Sequence, residues 1–437
     1  MAERRVVITG LGPVAPSGIG IEAFWSAALA GRRCVRRVED FDPSNFPTQI
    51  CGPLTDFSAR DFVPKDYRKA VKVMARDIQI AVACADLAIR DAGLSTPSAP
   101  GPGHAPDPAR FGCNIGSGLM CADMNELGSA LVSSLRDGRF DFHAWGSGQM
   151  ENLAPLWLLK YLPNMCACHT TILHQCKGPS NTIACGDASG HLAVAEAASW
   201  IRRGAADVVV AGATESKLNP MGLLRQTLLG RTCVSRNDDP AGACCPFDAA
   251  HSGTVIGEGG GLIILEELKH ARARKARIYA EVVGWAAASD PAAVDLRRPT
   301  CGNVAAALRR ALAKAALAPD QIDLALPHGT AVPAEDDAET AAWSVALTGR
   351  AAPLAACTAT GALGSLFAGA SGISTIAAAM ALHTQTIPPT VNFTAPAAPS
   401  SLTFQPTAAW TPLRAAACAS FTVGGQSAAC VLKRYPA

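Results

Sequence analysis

The sequence predicts an α/β fold made of two similar halves, and three observations indicate it. Short β-like runs alternate with segments of helical periodicity, which is typical of sheets layered with helices. The alternation restarts between residues 267 and 277, so that the second half repeats the first. The 437 residues, 49% of them hydrophobic, suffice for a large core or for two fused domains. We therefore expect domains at 1–267 and 268–437.

The first half is predicted to begin with a strand. Strand assignments rest on apolar runs, and helix assignments rest on apolar residues that recur every three or four positions. The Pro-, Gly- and Ala-rich stretch 95–108 is predicted to be a surface loop. The predicted strands are 5–11, 110–116, 205–213 and 260–266, and the predicted helices are 75–92 and 191–203.

The second half shows the same alternation and ends with a pair of strands. The predicted strands are 278–285, 322–326, 416–421 and 427–432, and the predicted helices are 303–316 and 369–383.

Composition excludes several classes of function. A net charge of +2 gives no reason to expect a nucleic-acid partner, although the basic groups around Arg68 and Arg202 are candidates to meet an acidic protein. Neither a signal peptide nor an apolar run of the roughly 18 residues needed for a membrane span is visible. The 16 cysteines lack regular spacing, which favours free thiols in a reducing cytoplasm.

The segment at residues 178–190 is the most informative part of the chain. It reads Gly-Pro-Ser-Asn-Thr-Ile-Ala-Cys-Gly-Asp-Ala-Ser-Gly, a loop and short strand that run into a helix. The free amides and the dipole at a helix start favour negative charge, and they stabilise a thiolate or an oxyanion placed there. The segment therefore predicts a functional side chain at this turn.

Motifs along the whole chain resemble those of the β-ketoacyl synthases of fatty-acid and polyketide synthesis. The resemblance implies a duplicated thiolase fold, with two pseudo-symmetric halves in a five-layered αβαβα arrangement. It also implies an acyl carrier protein as partner, an acyl-chain ligand, a homodimer or a heterodimer with an active ketosynthase, and no cofactor. The motifs are Val6-Val-Ile-Thr-Gly-Leu-Gly, Asn164-Met165, Gly178-Pro-Ser, Ala206-Asp-Val-Val-Val-Ala-Gly-Ala, Pro246-Phe-Asp, Gly257-Glu-Gly, His328-Gly-Thr, Ile387-Pro-Pro-Thr-Val-Asn, Ser420-Phe and Gly424-Gly.

Condensing members of this family use a Cys nucleophile, and that position falls on Asp187 here. Counting from either flanking motif gives the same result without a gap. Cys185 lies two strand residues earlier, roughly 6.5 Å away, and is either a shifted nucleophile or a buried structural thiol. Asp187 cannot form a thioester. We expect it to cap the following helix, to be neutral if burial raises its pKa, or to pair with His191 or His328.

The resemblance also implies two catalytic His residues and a supporting Lys. Only one of these three residues, the first His, is retained. His328 matches the first His, and Asp336 and Glu339 match the acids that follow it. Alignment through the later Pro-Pro motif puts Thr360 at the Lys position and Ser365 at the second His position. Glu339 therefore loses its usual cation.

The resemblance assigns the two oxyanion amides to Asp187 and Val423. The Phe that usually gates the acyl pocket is replaced by Val423, which indicates an altered pocket.

Two other groups of residues suggest different chemistry. A cluster in and after 164–174 contains enough donors for a tetrahedral metal site, but the family has a packed helix here, so we expect no metal. The glycines at 257–261 are either a phosphate loop or a tight turn packed against a strand. The cluster consists of Cys166, Cys168, His169, His174 and Cys176.

Three functions follow from these residues. The leading hypothesis is a subunit resembling the chain-length factors, which lack the nucleophile and pair with an active ketosynthase. The second is an active acyltransferase, decarboxylase or condensing enzyme that uses Asp187 and His328. The third is a non-catalytic, homodimeric acyl-binding scaffold.

Overall fold

The structure is a computed structural model that describes residues 4–292 and 302–436. Its strands are β1 (Val6–Ala15), β2 (Gly18–Ile19), β3 (Arg36–Arg37), β4 (Ile50–Gly52), β5 (Phe111–Ser117), β6 (Leu135–Arg136), β7 (Arg139–Phe140), β8 (Ser180–Ile183), β9 (Val208–Ser216), β10 (Ile256–Glu267), β11 (Ala280–Ser289), β12 (Leu324–Leu326), β13 (Leu354–Ala356), β14 (Thr386–Ile387), β15 (Leu402–Phe404), β16 (Ala409–Trp410), β17 (Ala415–Phe421) and β18 (Gln426–Arg434).

The helices alternate with these strands along the chain. They are α1 (Ile21–Leu29), α2 (Arg76–Asp91), α3 (Met124–Ser133), α4 (Phe142–Gly146), α5 (Met165–His174), α6 (Ser189–Arg202), α7 (Pro220–Leu228), α8 (Pro240–Ala243), α9 (Leu268–Ala273), α10 (Gly302–Lys314), α11 (Pro333–Ala346), α12 (Thr360–Leu363) and α13 (Ala368–Thr384).

The order of strands in the sheet repeats. In the first half it is β8-β5-β9-β10-β1, and in the second half it is β13-β12-β17-β18-β11. Numbered along the chain within each half, both read 3-2-4-5-1. The pairing directions also agree. In each set the strand that comes last along the chain, β10 or β18, is antiparallel to both of its neighbours in the set, and the other two pairs are parallel. This repetition confirms the predicted duplication, whereas the domain boundary after residue 267 stays a prediction.

Helices and sheets form five layers. α6 and α13 lie in the middle and contact strands of both halves. α2 and α5 cover the outer face of the first set of strands, and α10 and α11 cover the second. Separate apolar clusters fill the central layer and the two outer layers. The αβαβα arrangement expected from the resemblance is therefore present.

The middle layer is tightly packed because α13 is built from small residues. A Cβ on Gly372 would lie 2.3 Å from the carbonyl oxygen of Gly261 in β10. The glycines at 257–261 belong to this strand. They let the backbone of α13 approach β10 closely, so the phosphate-loop interpretation is wrong. The tight-turn alternative is also wrong, because residues 257–261 are extended within the strand.

The predicted strands and helices are all present, with ends that shift by a few residues. The stretch 95–108 is a mostly exposed loop, as predicted, although Thr96 and Ser98 within it are buried. Thr96 is held inside because its Oγ1 lies 2.8 Å from His174 Nδ1. Among the residues the structure describes, every helix is too short or too polar to cross a membrane.

Candidate active-site cleft

The most informative segment folds as a strand, a tight turn and a helix. β8 ends at Ile183, one helical turn covers Gly186–Ala188, and α6 then begins. The turn requires a glycine, because Gly186 has φ +53° and a Cβ there would lie 2.7 Å from Thr422 Oγ1. The next residue, Asp187, is buried. The turn therefore fixes the Asp187 side chain inside the molecule, beside the helix start.

Asp187 contacts the retained histidine. His328 Nε2 lies 3.2 Å from Asp187 Oδ2. His328 follows β12, and its backbone N–H donates to Glu339 Oε1 at 2.8 Å. The hydroxyls of Thr358 and Thr360 both donate to the His328 carbonyl oxygen at 3.2 Å. The histidine is thus held at its backbone from two sides, with its ring directed to Asp187.

The other predicted roles of Asp187 are not observed. The residue at the N-cap position of α6 is Ala188, so Asp187 does not cap this helix. His191 Nδ1 lies 2.8 Å from Ser420 Oγ, and burial lowers the pKa of His191 to about 3. The pair with His328 is therefore the one that forms.

The Asp187–His328 pair is ionic. Burial tends to raise the pKa of Asp187, but the hydrogen bond and charge of His328 outweigh it and the pKa is lowered. Burial tends to lower the pKa of His328, but the hydrogen bond and charge of Asp187 raise it. The expectation that burial leaves Asp187 neutral is therefore wrong, because a cation faces the carboxylate.

A buried arginine that the sequence analysis missed adds to this charge balance. The Arg231 guanidinium lies 3.8 Å from Asp187 Oδ2. It also makes two bonds to the Glu335 carboxylate, at 2.8 and 2.9 Å, and donates to Gln226 Oε1 at 3.0 Å. The Asp187 carboxylate is consequently flanked by two cationic side chains.

Asp187 opens onto a cleft of about 680 Å³. Lys217, which ion-pairs with Glu215, lines the cleft. Val423 also lines it, so the two residues assigned to the oxyanion amides share one cleft. The wall combines these charged groups with apolar side chains. The other lining residues include Leu119, Arg225, Gln226, Leu228, Leu229, Arg231, Phe367 and Thr422.

The positions expected for Lys and the second His lie apart from Asp187. Thr360 starts α12 and reaches the His328 carbonyl oxygen, as described above. Ser365 is buried, and its N–H donates to the Val255 carbonyl oxygen at 2.8 Å. Neither Thr360 nor Ser365 belongs to the lining of the cleft. Neither side chain supplies a positive charge or a basic nitrogen.

The two acids that follow His328 bind backbone amides. Glu339 accepts from the N–H groups of His328 and Gly329, at 2.8 and 2.9 Å. Asp336 accepts from the N–H groups of Thr330 and Phe247, at 2.9 and 2.7 Å. Burial raises the pKa of both carboxyls, that of Glu339 to about 7. These acids position the His328 segment.

Cys185 lacks the surroundings of a reactive thiol. It is half-buried, and burial raises its pKa. It is absent from the lining of the cleft, whereas its neighbours Ala184 and Gly186 line it. A nucleophilic cysteine needs a lowered pKa and access to substrate.

The candidate metal ligands in and after α5 do not converge. Tyr67 Oη lies 2.9 Å from His169 Nδ1, and Thr96 Oγ1 lies 2.8 Å from His174 Nδ1. Within residues 4–292 and 302–436, no group of three or more His, Cys, Asp or Glu side chains is arranged to hold a metal ion.

The chain is similar to known proteins over nearly its whole length. A model of the β-ketoacyl synthase N-terminal domain matches residues 3–271. A model of the β-ketoacyl synthase C-terminal domain matches residues 279–394. The chain is 31% identical over 441 residues to 3-oxoacyl-acyl-carrier-protein synthase 2 of Rhizobium meliloti, which covers 99% of both chains.

Two solved structures share the fold. The ishigamide ketosynthase/chain length factor is 26% identical with a TM-score of 0.83, and the match covers 100% of both chains. A type II polyketide synthase acyl-carrier protein in complex with its ketosynthase, bound to the hexaketide, provides a second match. It is 25% identical with a TM-score of 0.83, covering 99% of this chain and 100% of the other.

Proposed function

The chain belongs to the β-ketoacyl synthase family of fatty-acid and polyketide biosynthesis, and within it we propose that this protein is a subunit similar to a chain-length factor. Such a subunit does not condense acyl groups by itself and completes a dimer with an active ketosynthase. The observation that carries the proposal is the buried ion pair of Asp187 with His328 at the position where condensing members hold their nucleophile.

The charges of the cleft argue against condensation. A carboxylate at position 187 forms no thioester, and it repels the carboxylate of a malonyl group. His328 is already engaged with Asp187, which leaves its Nε2 unable to act on a substrate without breaking the pair. Thr360 and Ser365 provide hydroxyls in place of a cation and an imidazole.

The surface near the cleft supports a partner subunit. β8, which leads directly to Asp187, pairs with β5 on one side and lies at the edge of the main sheet. An edge strand offers its backbone groups to another chain. Exposed apolar side chains lie on the same half of the molecule, among them Phe142, Leu156 and Ile172, which are 82%, 70% and 58% exposed. Apolar side chains exposed to this extent are candidates for contact with a partner.

The Asp187→Cys variant tests the proposal. Wild-type protein incubated with acyl- and malonyl-carrier protein is expected to show neither an acyl adduct by intact mass spectrometry nor release of carbon dioxide. Asp187→Cys is expected to gain one acyl group, because the helix start stabilises the thiolate. It should still release no carbon dioxide, since the Lys and the second His remain absent.

Cys185→Ala serves as the matched control, alone and combined with Asp187→Cys. It should leave both results unchanged and show that any adduct maps to position 187. An acyl adduct on Cys185 in the wild type would contradict the proposal and revive the shifted nucleophile.

The Asp187–His328 contact also supports a second candidate, an enzyme of altered chemistry. The pair would act as a general base or would stabilise charge during decarboxylation of malonyl-carrier protein. This candidate predicts carbon dioxide release by the wild type that disappears in both Asp187→Ala and His328→Ala. The same assay therefore separates the two functions.

An acyl carrier protein as partner is supported by a basic surface. Lys65, Arg68, Lys69 and Lys72 are exposed on consecutive short turns, and carrier proteins are acidic. We expect Lys69→Glu to weaken carrier-protein binding severalfold and to make it less sensitive to salt. Binding is measured by surface plasmon resonance at two salt concentrations.

Lys269→Glu is the matched control, because Lys269 is also exposed but lies on α9, outside both basic groups. Equal losses for both variants would contradict docking at the basic turns.

A further inference from the structure

A second cavity reaches His328, separate from the cleft. Its volume is about 60 Å³, and none of its lining residues borders the cleft that Asp187 opens on. The walls come from α1, α12, α13 and the segment 388–391, with His328 at the boundary. The Asp187–His328 contact is therefore a partition between two spaces, and the second space has no role in the proposed function.

The walls of this cavity suit an apolar chain. They include Phe24, Leu363 and Ile373. One water needs about 10–15 Å³ of such volume, so the cavity is larger than a single water, and most of its lining residues are apolar. The hydroxyls of Ser17 and Ser374, which also line it, are buried and have no hydrogen-bond partner.

The mouth of the cavity carries a positive charge. Arg32 borders the cavity and is exposed. Within the described parts of the chain, its guanidinium makes neither a hydrogen bond nor an ion pair. The preceding Gly31 has φ +61°, and a Cβ there would lie 3.4 Å from Pro389 Cγ. This turn sets Arg32 against the wall formed by 388–391.

We propose that this cavity binds a straight-chain carboxylate, a free fatty acid, with its tail along α13 toward His328 and its carboxylate at Arg32. A small, mostly apolar cavity that is bordered by one exposed cation suits a single unbranched chain with one negative charge. Binding here requires neither condensation nor a partner subunit.

Calorimetric titration with saturated fatty acids of six to twelve carbons, kept below micelle formation, tests the proposal. The wild type is expected to bind with an affinity that rises with chain length to a limit set by the cavity. Ala28→Leu, which fills the cavity from α1, is expected to weaken binding by about tenfold or more. Arg32→Gln is expected to weaken it by about threefold, and a methyl ester should be insensitive to that change.

Two matched controls show that the effects are local. Ala30→Leu and Arg33→Gln change the same residue types at exposed neighbouring positions outside the lining, and both should bind like the wild type. Thermal unfolding of each variant confirms that it is folded.

The inference is overturned if the wild type does not bind fatty acids, or if Ala28→Leu binds them as the wild type does. It is also overturned if Leu119→Trp, which blocks the cleft instead, abolishes binding. A crystal structure of the complex should place the alkyl chain between Arg32 and Thr360.

Discussion

At the scale of single residues, Asp187 occupies a place prepared for negative charge. The amides and dipole at the start of α6 favour an anion, and the cations of His328 and Arg231 lie 3.2 and 3.8 Å from the carboxylate. These contacts lie inside the protein and are complete without substrate. Asp187 is therefore held by its surroundings as a structural anion, which agrees with a subunit that does not form acyl intermediates.

Glu339 gives the folded protein a pH-dependent stability. Burial raises the pKa of its carboxyl from 4.5 to about 7, so the folded state keeps a proton that the unfolded chain releases. The free energy of unfolding therefore falls as the pH rises through this window, by at most about 3 kcal/mol. His328 acts in the same direction, because its raised pKa stabilises the fold below 6.5 and this contribution is lost as the pH rises through the folded pKa.

Thr360→Lys is expected to reduce this dependence. The resemblance implies that a cation at position 360 pairs with Glu339. An ammonium there favours the ionised carboxylate and lowers its pKa, so less stability is lost between pH 4.5 and 7. Thr360→Met is the matched control, since it adds length without charge and should keep the wild-type slope. Urea unfolding at a series of pH values measures both variants, and identical slopes would show that Glu339 does not respond to position 360.

At the scale of helices and strands, local patterns predicted most of the fold. Apolar runs located β9 and β10, and helical periodicity located α2 and α13, because burial imposes these patterns directly. Such local patterns do not predict the strand order, since it pairs Val6 with Glu267, residues remote in sequence.

The residues of the site also differ in whether the sequence predicts them. Motif spacing located Asp187 and His328, whereas Arg231 belongs to a loop after α7 and has no motif, so only the fold brings it to the cleft.

The close approach of α13 to β10 predicts a large effect of one methyl group. Gly372→Ala would place a Cβ 2.3 Å from the Gly261 carbonyl oxygen, and neither backbone can move without displacing a layer. We expect a loss of about 3 kcal/mol in the free energy of unfolding. Urea denaturation measures it.

Gly128→Ala is the matched control for helix propensity. Gly128 lies in α3, and a Cβ there meets nothing within 4 Å, so the change should stabilise the protein by up to about 1 kcal/mol. If Gly372→Ala proved as stable as the wild type, the middle layer would be able to adjust to the added methyl group.

At the scale of the whole molecule, the two halves differ in what they expose. The outer layer of the first half presents Ile172 on α5, 58% exposed, and α5 contacts the edge strand β8. Adding a strand at β8 would bring a partner over this helix and over the turn that holds Asp187. In the proposed dimer, one short segment would therefore join the partner contact to the cleft.

Ile172→Glu is expected to weaken association with a ketosynthase that carries the intact Cys-His-His set by about tenfold or more, because a charge would be buried without a partner. The matched control is Val345→Glu on α11, which is 46% exposed on the outer layer of the other half and should leave association unchanged. Co-purification and sedimentation velocity of the two chains, at several concentrations, measure the affinity. Loss of association in both variants would indicate a general effect of added charge, and loss in neither would exclude α5 from the interface. If the wild-type chain forms a stable homodimer that Ile172→Glu dissociates while the ketosynthase has no effect, the homodimeric scaffold replaces the chain-length-factor model.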